Sequence, residues 1–97
     1  MDLDKLKNQT GLTIKNYTEI LAISAMKEVL PRLNCCKCPR CQLDILTRVL
    51  NNLPPKYILT EKGELYTKIS ELIIQSIVDI EVQIIKAAEI VQNNPSH

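Results

Sequence analysis

A chain of 97 residues is enough for one domain with one modest core. Apolar residues make up 45% of it, but Phe and Trp are absent and only three Tyr occur, so the core must be aliphatic. The net charge of +1 divides unevenly: residues 1–56 carry nine Lys and Arg against five Asp and Glu, whereas residues 57–97 carry three against six. Arg32, Lys37, Arg40, Arg48 and Lys56 form a basic focus that is too small for general duplex-DNA binding, and no aromatic platform invites a single strand. Direct DNA binding is therefore not expected. Met1 to Asn8 is charged and every long apolar stretch is broken by charges, so neither a secretory leader nor a membrane span is read.

Residues 1–15 are polar and read as a flexible arm, with Thr10 and Gly11 marking a break. Asn16-Tyr17-Thr18-Glu19 has the form of a capping box, in which Asn16 serves an orphan N–H and Glu19 reaches back. The first helix follows, with Ile20, Ile23, Met26, Val29 and Leu30 as its buried stripe. Pro31 ends or kinks it, because proline lacks the N–H that the helix needs and clashes with the preceding turn.

All four cysteines then fall within seven residues, at Cys35, Cys36, Cys38 and Cys41. A C-x-C-x-x-C turn that runs into a helix can aim three sulfurs at one point, and all four cysteines are candidate ligands for Zn²⁺. Cys35 and Cys36 are neighbours and tend to point apart. The fourth ligand is therefore Cys35 after a backbone adjustment, Asp44 one turn into the helix, or a group from a second chain. Two rival readings stand beside the metal. One is a disulfide or plain structural thiols, with an inter-chain bridge through Cys35 or Cys36 the easiest geometry. The other is a redox pair at Cys38 and Cys41, which lacks the strand-helix-strand setting of a thioredoxin-like enzyme. Clustered cysteines without a leader suit a reducing cytoplasm.

Pro39 is well placed at the start of the second helix, where Leu43, Leu46, Val49, Leu50 and Leu53 recur at helical spacing. Arg40, Asp44, Arg48 and Asn51 or Asn52 run down the opposite side. That stripe is either a solvated face with ion pairs or a set of arginine forks beside an asparagine that can grip phosphate or a guanine edge. Pro54-Pro55 forces an extended exit, and Tyr57-Ile58-Leu59-Thr60 leans toward strand but has no evident partner, so it reads as a connector. The last helix spans about Thr67 to Gln92. Ile69, Ile73, Ile77, Ile80, Ile84, Ala87 and Val91 make one apolar stripe, and Ile74, Val78, Val82, Ile85 and Ala88 make a second. Two short partners cannot cover both, so a two-fold homodimer is expected, the alternative being an N-terminal arm folded over the second stripe. Residues 93–97 read as a disordered tail.

Cys36-x-Cys38-x-x-Cys41, Leu43-Asp44-Ile45 and Leu50-Asn51-Asn52-Leu53-Pro54-Pro55-Lys56-Tyr57 together resemble the signature of the late competence development protein ComFB family. The resemblance extends over most of the chain. It departs at Ile45, at Thr47-Arg48 and at Lys56, where the family favours Val, a small apolar pair and Arg; lysine keeps the charge but loses the bidentate fork. The resemblance implies a small all-helical bacterial homodimer with zinc at the cysteine segment. One founding member lies in a competence operon, and cyanobacterial relatives are receptors for cyclic di-GMP or cyclic di-AMP.

The expected fold is therefore all-α: a three- to four-helix domain over residues 16–92, with a cysteine turn before the second helix and a long C-terminal helix. No paired carboxylates, no nucleophile with a base and no His except His97 occur, so no enzyme is expected. The expected function is a cytoplasmic cyclic-dinucleotide receptor linked to DNA uptake or motility, with Arg40, Asp44, Arg48, Asn51, Lys56 and Tyr57 as its ligand surface. The alternative is a zinc-stapled adaptor dimer that binds a protein of the competence or motility machinery.

Overall fold

The computed structural model describes residues 1–61 and 64–94, with side chains at 1–61 and 77–94. The elements run α1 (Leu3–Thr10), β1 (Thr13–Asn16), α2 (Tyr17–Val29), a 3-10 turn (Leu30–Arg32), α3 (Pro39–Asn51), β2 (Tyr57–Thr60) and α4 (Glu64–Asn93). The domain is mostly helical, as expected, but it also holds a two-stranded antiparallel ribbon, so the all-α reading is corrected. Among the described residues no helix is long and apolar enough to cross a membrane.

The ribbon corrects two expectations at once. Residues 1–15 are not an irregular arm: Asp2 caps α1 by accepting the Lys5 N–H at 3.2 Å, and Gly11 closes it at φ +70°, a conformation that costs other residues about 1–2 kcal/mol. Thr13 to Asn16 then pair with Tyr57 to Thr60 in the register Thr13↔Thr60 through Asn16↔Tyr57, which supplies the partner that β2 appeared to lack. Thr13 and Ile14 are β-branched, and the Pro54-Pro55 exit delivers β2 already extended. Thr60 is buried, with its hydroxyl 3.3 Å from that of Thr13, while Ile14, Tyr57 and Leu59 stay exposed on the other face.

α2 buries Tyr17, Thr18, Leu21, Ala22, Ala25, Met26 and Val29, continued by Leu30 in the 3-10 turn. Its core row lies beside the one expected: Ile20 is half-buried and Ile23 exposed, because the small Ala22 and Ala25 sit in the core where neighbouring helices approach. Pro31 ends the α-helix as expected, and the chain tightens into the 3-10 turn there. On α3 the fully buried row is Cys41, Ile45 and Val49 at four-residue intervals, while Leu46, Leu50 and Leu53 only flank it. Leu43, expected in the core, is 65% exposed.

α4 packs against both α2 and α3, and the core lies among the three. Ile80, Ile84, Ala87 and Val91 of the first stripe are buried, with Ile77 partly so. Of the second stripe Ala88 is buried, while Val78, Val82 and Ile85 remain exposed. The α1 arm buries none of its own residues, and it leaves Val78, Val82 and Ile85 of that stripe exposed. Ile69, Ile73 and Ile74 lie outside the described side chains, as do residues 95–97 of the expected tail.

Candidate functional site

The cysteine turn is shaped by the start of α3. Cys38 is the N-cap, with φ −64° and ψ 157°, and its Sγ accepts the Cys41 N–H at 3.4 Å; Pro39 takes the next position, where no N–H is needed. The Lys37 Nζ donates to the Leu33 carbonyl at 2.6 Å, and the Gln42 amide donates to the Lys37 carbonyl. These bonds tie the segment from Leu33 to Lys37 to the start of the helix, where Cys36 meets the thiols of the first turn.

The sulfurs of Cys36, Cys38 and Cys41 lie within 4.8 Å of one another. Around a tetrahedral zinc with bonds of about 2.3 Å, sulfurs sit roughly 3.8 Å apart, so a small contraction closes three vertices. Cys41 is fully buried in the core cluster, and Cys36 and Cys38 are half-buried. The Cys38 thiol is held below its ordinary pKa, first by the backbone N–H of Cys41; burial is the next effect and opposes it, and hydrogen bonds from the Cys41 and Cys36 side chains and the Arg40 backbone add to the lowering. A thiolate at a helix N-terminus is the form that a soft cation binds. The donor set therefore fits a metal that favours sulfur.

The four expected ligands divide. Cys35 is not in the convergent group; it borders a hollow with Leu33, Asn34, Ile85, Ala88 and Glu89, on the α4 side. Asp44, the alternative fourth ligand, also stands outside that group and accepts from Arg48 Nε at 3.0 Å.

The expected ligand surface is split as well. Arg40, Asp44, Arg48 and Asn51 share a side of α3, of which Arg40 and Asn51 are exposed and the ion-paired Asp44 and Arg48 half-buried. Lys56 borders a small hollow of about 100 Å³ with Thr18, Pro54 and Asp79. Tyr57, 69% exposed, borders a different one of about 470 Å³ with Ile14, Lys15, Asn16, Glu19 and Ile20. Arg32, counted in the basic focus, lines a hollow between α2 and α4 together with Glu28 and Glu81.

Asn16 and Glu19 were visible in the sequence only as a capping box, and half of that box forms. Asn16 Oδ1 accepts the Thr18 N–H at 3.1 Å and, across the chain, the Lys56 N–H at 3.0 Å. The Tyr17 N–H donates to the Lys56 carbonyl at 2.6 Å. The side chain of Glu19, expected to reach back, makes no hydrogen bond or ion pair among the described residues. The β1–α2 junction is thereby locked to the segment after Pro55, which is what sets Tyr57 beside Asn16 and Glu19.

Similarity to known proteins agrees with this architecture. No curated protein matches the chain. The solved structure of the late competence protein ComFB from Bacillus subtilis superposes with a TM-score of 0.74 at 27% identity, covering 87% of this chain and 93% of that one. The family model for late competence development protein ComFB matches residues 15–95, from the last residues of β1 past the end of α4. With a match over so much of its length, the chain belongs to the late competence development protein ComFB family.

Proposed function

We propose that this chain is a non-enzymatic, cytoplasmic binding protein of the competence or motility machinery, a homodimer stapled by zinc and a receptor for a cyclic dinucleotide, cyclic di-GMP or cyclic di-AMP. The observation that carries the reading is the convergence of Cys36, Cys38 and Cys41 at the head of the helix that presents Arg40, Arg48 and Asn51. In that arrangement the metal fixes the first turn of α3, and the arginine forks and the asparagine amide below it are held on a rigid element that suits a ligand with two phosphates. Zinc bound to these thiolates and one further donor would be structural, with no open position for activating water. The exposed apolar stripe of Val78, Val82 and Ile85 on α4 supports a self-complementary interface.

A second reading, an adaptor dimer that takes a protein partner without nucleotide, is supported by a different observation. The six expected ligand residues do not meet in one hollow, whereas Ile23, Met26, Leu30, Leu43 and Leu46 line an apolar one of about 210 Å³ between α2 and α3.

Isothermal titration of zinc-loaded protein with cyclic di-GMP and with cyclic di-AMP separates the two. Saturable binding at micromolar or lower Kd, lost in Arg40→Ala or Arg48→Ala with unchanged melting of the free protein, supports the receptor. Absence of heat with either ligand, from a folded and zinc-loaded sample, removes it and leaves the adaptor. Light scattering on the same sample tests the dimer, and a Val82→Lys variant should shift it toward monomer without loss of helicity.

A further inference from the structure

The three convergent thiols are not equivalent. Cys38 and Cys41 stand at the N-cap and the third helical position of α3, in the order Cys-Pro-Arg-Cys, with Pro39 fixing the first helical position between them. Cys38 is half-buried and open to small reagents, whereas Cys41 is fully buried. The Cys38 backbone leaves the helical path at φ −64° and ψ 157°, which turns its Sγ back over the first turn to accept the Cys41 N–H at 3.4 Å. The two sulfurs lie within 4.8 Å of each other. A disulfide holds them at about 2.0 Å, a gap that side-chain rotation within the first turn can close. Cys35 has no comparable partner: it lies outside the convergent group. Its neighbour Cys36 is one peptide away, with Cα atoms about 3.8 Å apart, closer than the roughly 4.4–6.8 Å that a disulfide spans.

We propose that Cys38 and Cys41 form an oxidative modification site, at which a hydroperoxide closes the pair to a disulfide and the metal is released. The accessible Cys38 sulfur attacks a peroxide oxygen, and the O–O bond breaks to give a sulfenic acid and an alcohol, or water from hydrogen peroxide. The Cys41 sulfur then attacks the Cys38 sulfur, forming the S–S bond and expelling the hydroxyl as water. In sum, two electrons pass from the two sulfurs to the O–O bond, and the two protons come from the thiols or, for metal-bound thiolates, from solvent. With these sulfurs bonded to each other, Cys36 is the one thiolate of the trio left to a cation, too few for a zinc site. The segment from Leu33 to Lys37 then loses the anchor that Cys36 gave it. Through Leu33, Asn34 and Cys35 that segment borders Ile85 of the exposed α4 stripe, so oxidation loosens the chain beside it. The proposal deepens the zinc reading, and release of metal rests on that reading; closure of the pair needs the two thiols alone.

The test is to treat the zinc-loaded full chain with a slight molar excess of hydrogen peroxide, follow released zinc with a chromogenic chelator, and alkylate and map the remaining thiols by mass spectrometry. Trypsin cuts after Arg32, Lys37 and Arg40, so a Cys38–Cys41 bond joins peptides 38–40 and 41–48, while Cys35 and Cys36 report from peptide 33–37. The joined peptides should form in a product of monomer mass, in step with an equal amount of released zinc. Cys35 should stay reduced, and a thiol reductant followed by zinc should restore the starting state. Metal-free protein should close the same bond, and metal-free Cys36→Ser should do so at close to the wild-type rate. In metal-free Cys38→Ser, with melting recorded to confirm the fold, oxidation of the buried Cys41 should slow by at least about tenfold. A bond from peptide 33–37 to either of the others, an inter-chain bond through Cys35, or Cys38 carried to sulfinic acid beside a reduced Cys41 overturns the pair and leaves the zinc reading standing. Zinc retained with every thiol reduced does the same. A pair that closes in a chain that takes up no zinc keeps the modification site and removes the metal, and absence of both removes both.

Discussion

Replacing Cys41 by serine tests the cysteine centre from two sides, because Cys41 is at once a member of the convergent trio and a fully buried core residue. In metal-free protein the change exchanges a small apolar group for a hydroxyl in a site packed by aliphatic side chains, which costs about 1–3 kcal/mol. For a chain of this length, about 1 kcal/mol moves the melting temperature by roughly 4–8 °C, so the metal-free variant should melt about 5–20 °C below metal-free wild type. The second effect appears only with metal. A cation at about 1,000 times its Kd stabilises the native state by about 4 kcal/mol, and removal of one of three thiolates should abolish most of that increment. The assay is paired melting of chelated and zinc-supplemented samples, with bound zinc quantified on each. Wild type should gain stability with zinc and the variant should gain little. If Cys41→Ser retains wild-type zinc content and the same zinc-dependent rise in melting temperature, the convergent thiols are not the metal centre, and Cys41 is only a core residue.

Three further outcomes check other links between sequence and site. Ile45→Ala should cost about 2–5 kcal/mol, whereas Leu43→Ala should cost less than about 0.5 kcal/mol, since Ile45 is fully buried and Leu43 is 65% exposed; chemical denaturation measures both, and equal effects would refute the assigned face of α3. Asn16→Ala removes an acceptor shared by the Thr18 and Lys56 N–H groups and should cost about 1–2 kcal/mol, with faster amide exchange at both positions; protection unchanged at Lys56 would rule out the link across the chain. The lowered pKa of Cys38 favours the thiolate in the folded state. Its contribution is present above the unfolded-state value and is lost as pH falls through the lowered native value. In metal-free protein Cys38 should therefore be alkylated faster near neutral pH than a cysteine in an unfolded peptide, with the rate falling only at lower pH. Site-resolved mass spectrometry reads this directly, and a rate equal to the peptide's contradicts the effect of the helix start.

Much of the site was legible because its signals are local. Pro39 after Cys38 marks the first turn of α3, and the close spacing of Cys36, Cys38 and Cys41 lets one turn bring three sulfurs together without help from the rest of the chain. Pro31 stops α2 for a reason that needs no neighbour, and helical period alone places Ile80, Ile84, Ala87 and Val91 on one apolar row of α4, though not which of its two rows is core. The motif from Cys36 to Tyr57 was likewise sufficient to indicate the family that the match over residues 15–95 establishes.

What required the tertiary structure was every choice between faces and every partner distant in sequence. α3 carries apolar residues on more than one side, and only the positions of α2 and α4 determine that Ile45 is buried while Leu43 faces water. The β1–β2 ribbon joins segments more than forty residues apart, so Tyr57 to Thr60 leaned toward strand without a visible partner, and Thr13 to Lys15 looked like part of an arm. Asn16 illustrates both cases. Its N-cap role toward Thr18 was readable from the sequence because it spans two residues, whereas its bond to Lys56 exists only because the fold brings the two segments together. The sequence by itself therefore determined α2, α3 and α4, the cysteine turn and the family, through interactions that close within a turn or two, while α1 was read as part of an arm. Only the packed chain decided which apolar face is core, that Cys35 stands apart from the other thiols, and that Glu19 and Tyr57 share a hollow, because each depends on contacts between elements that no local period encodes.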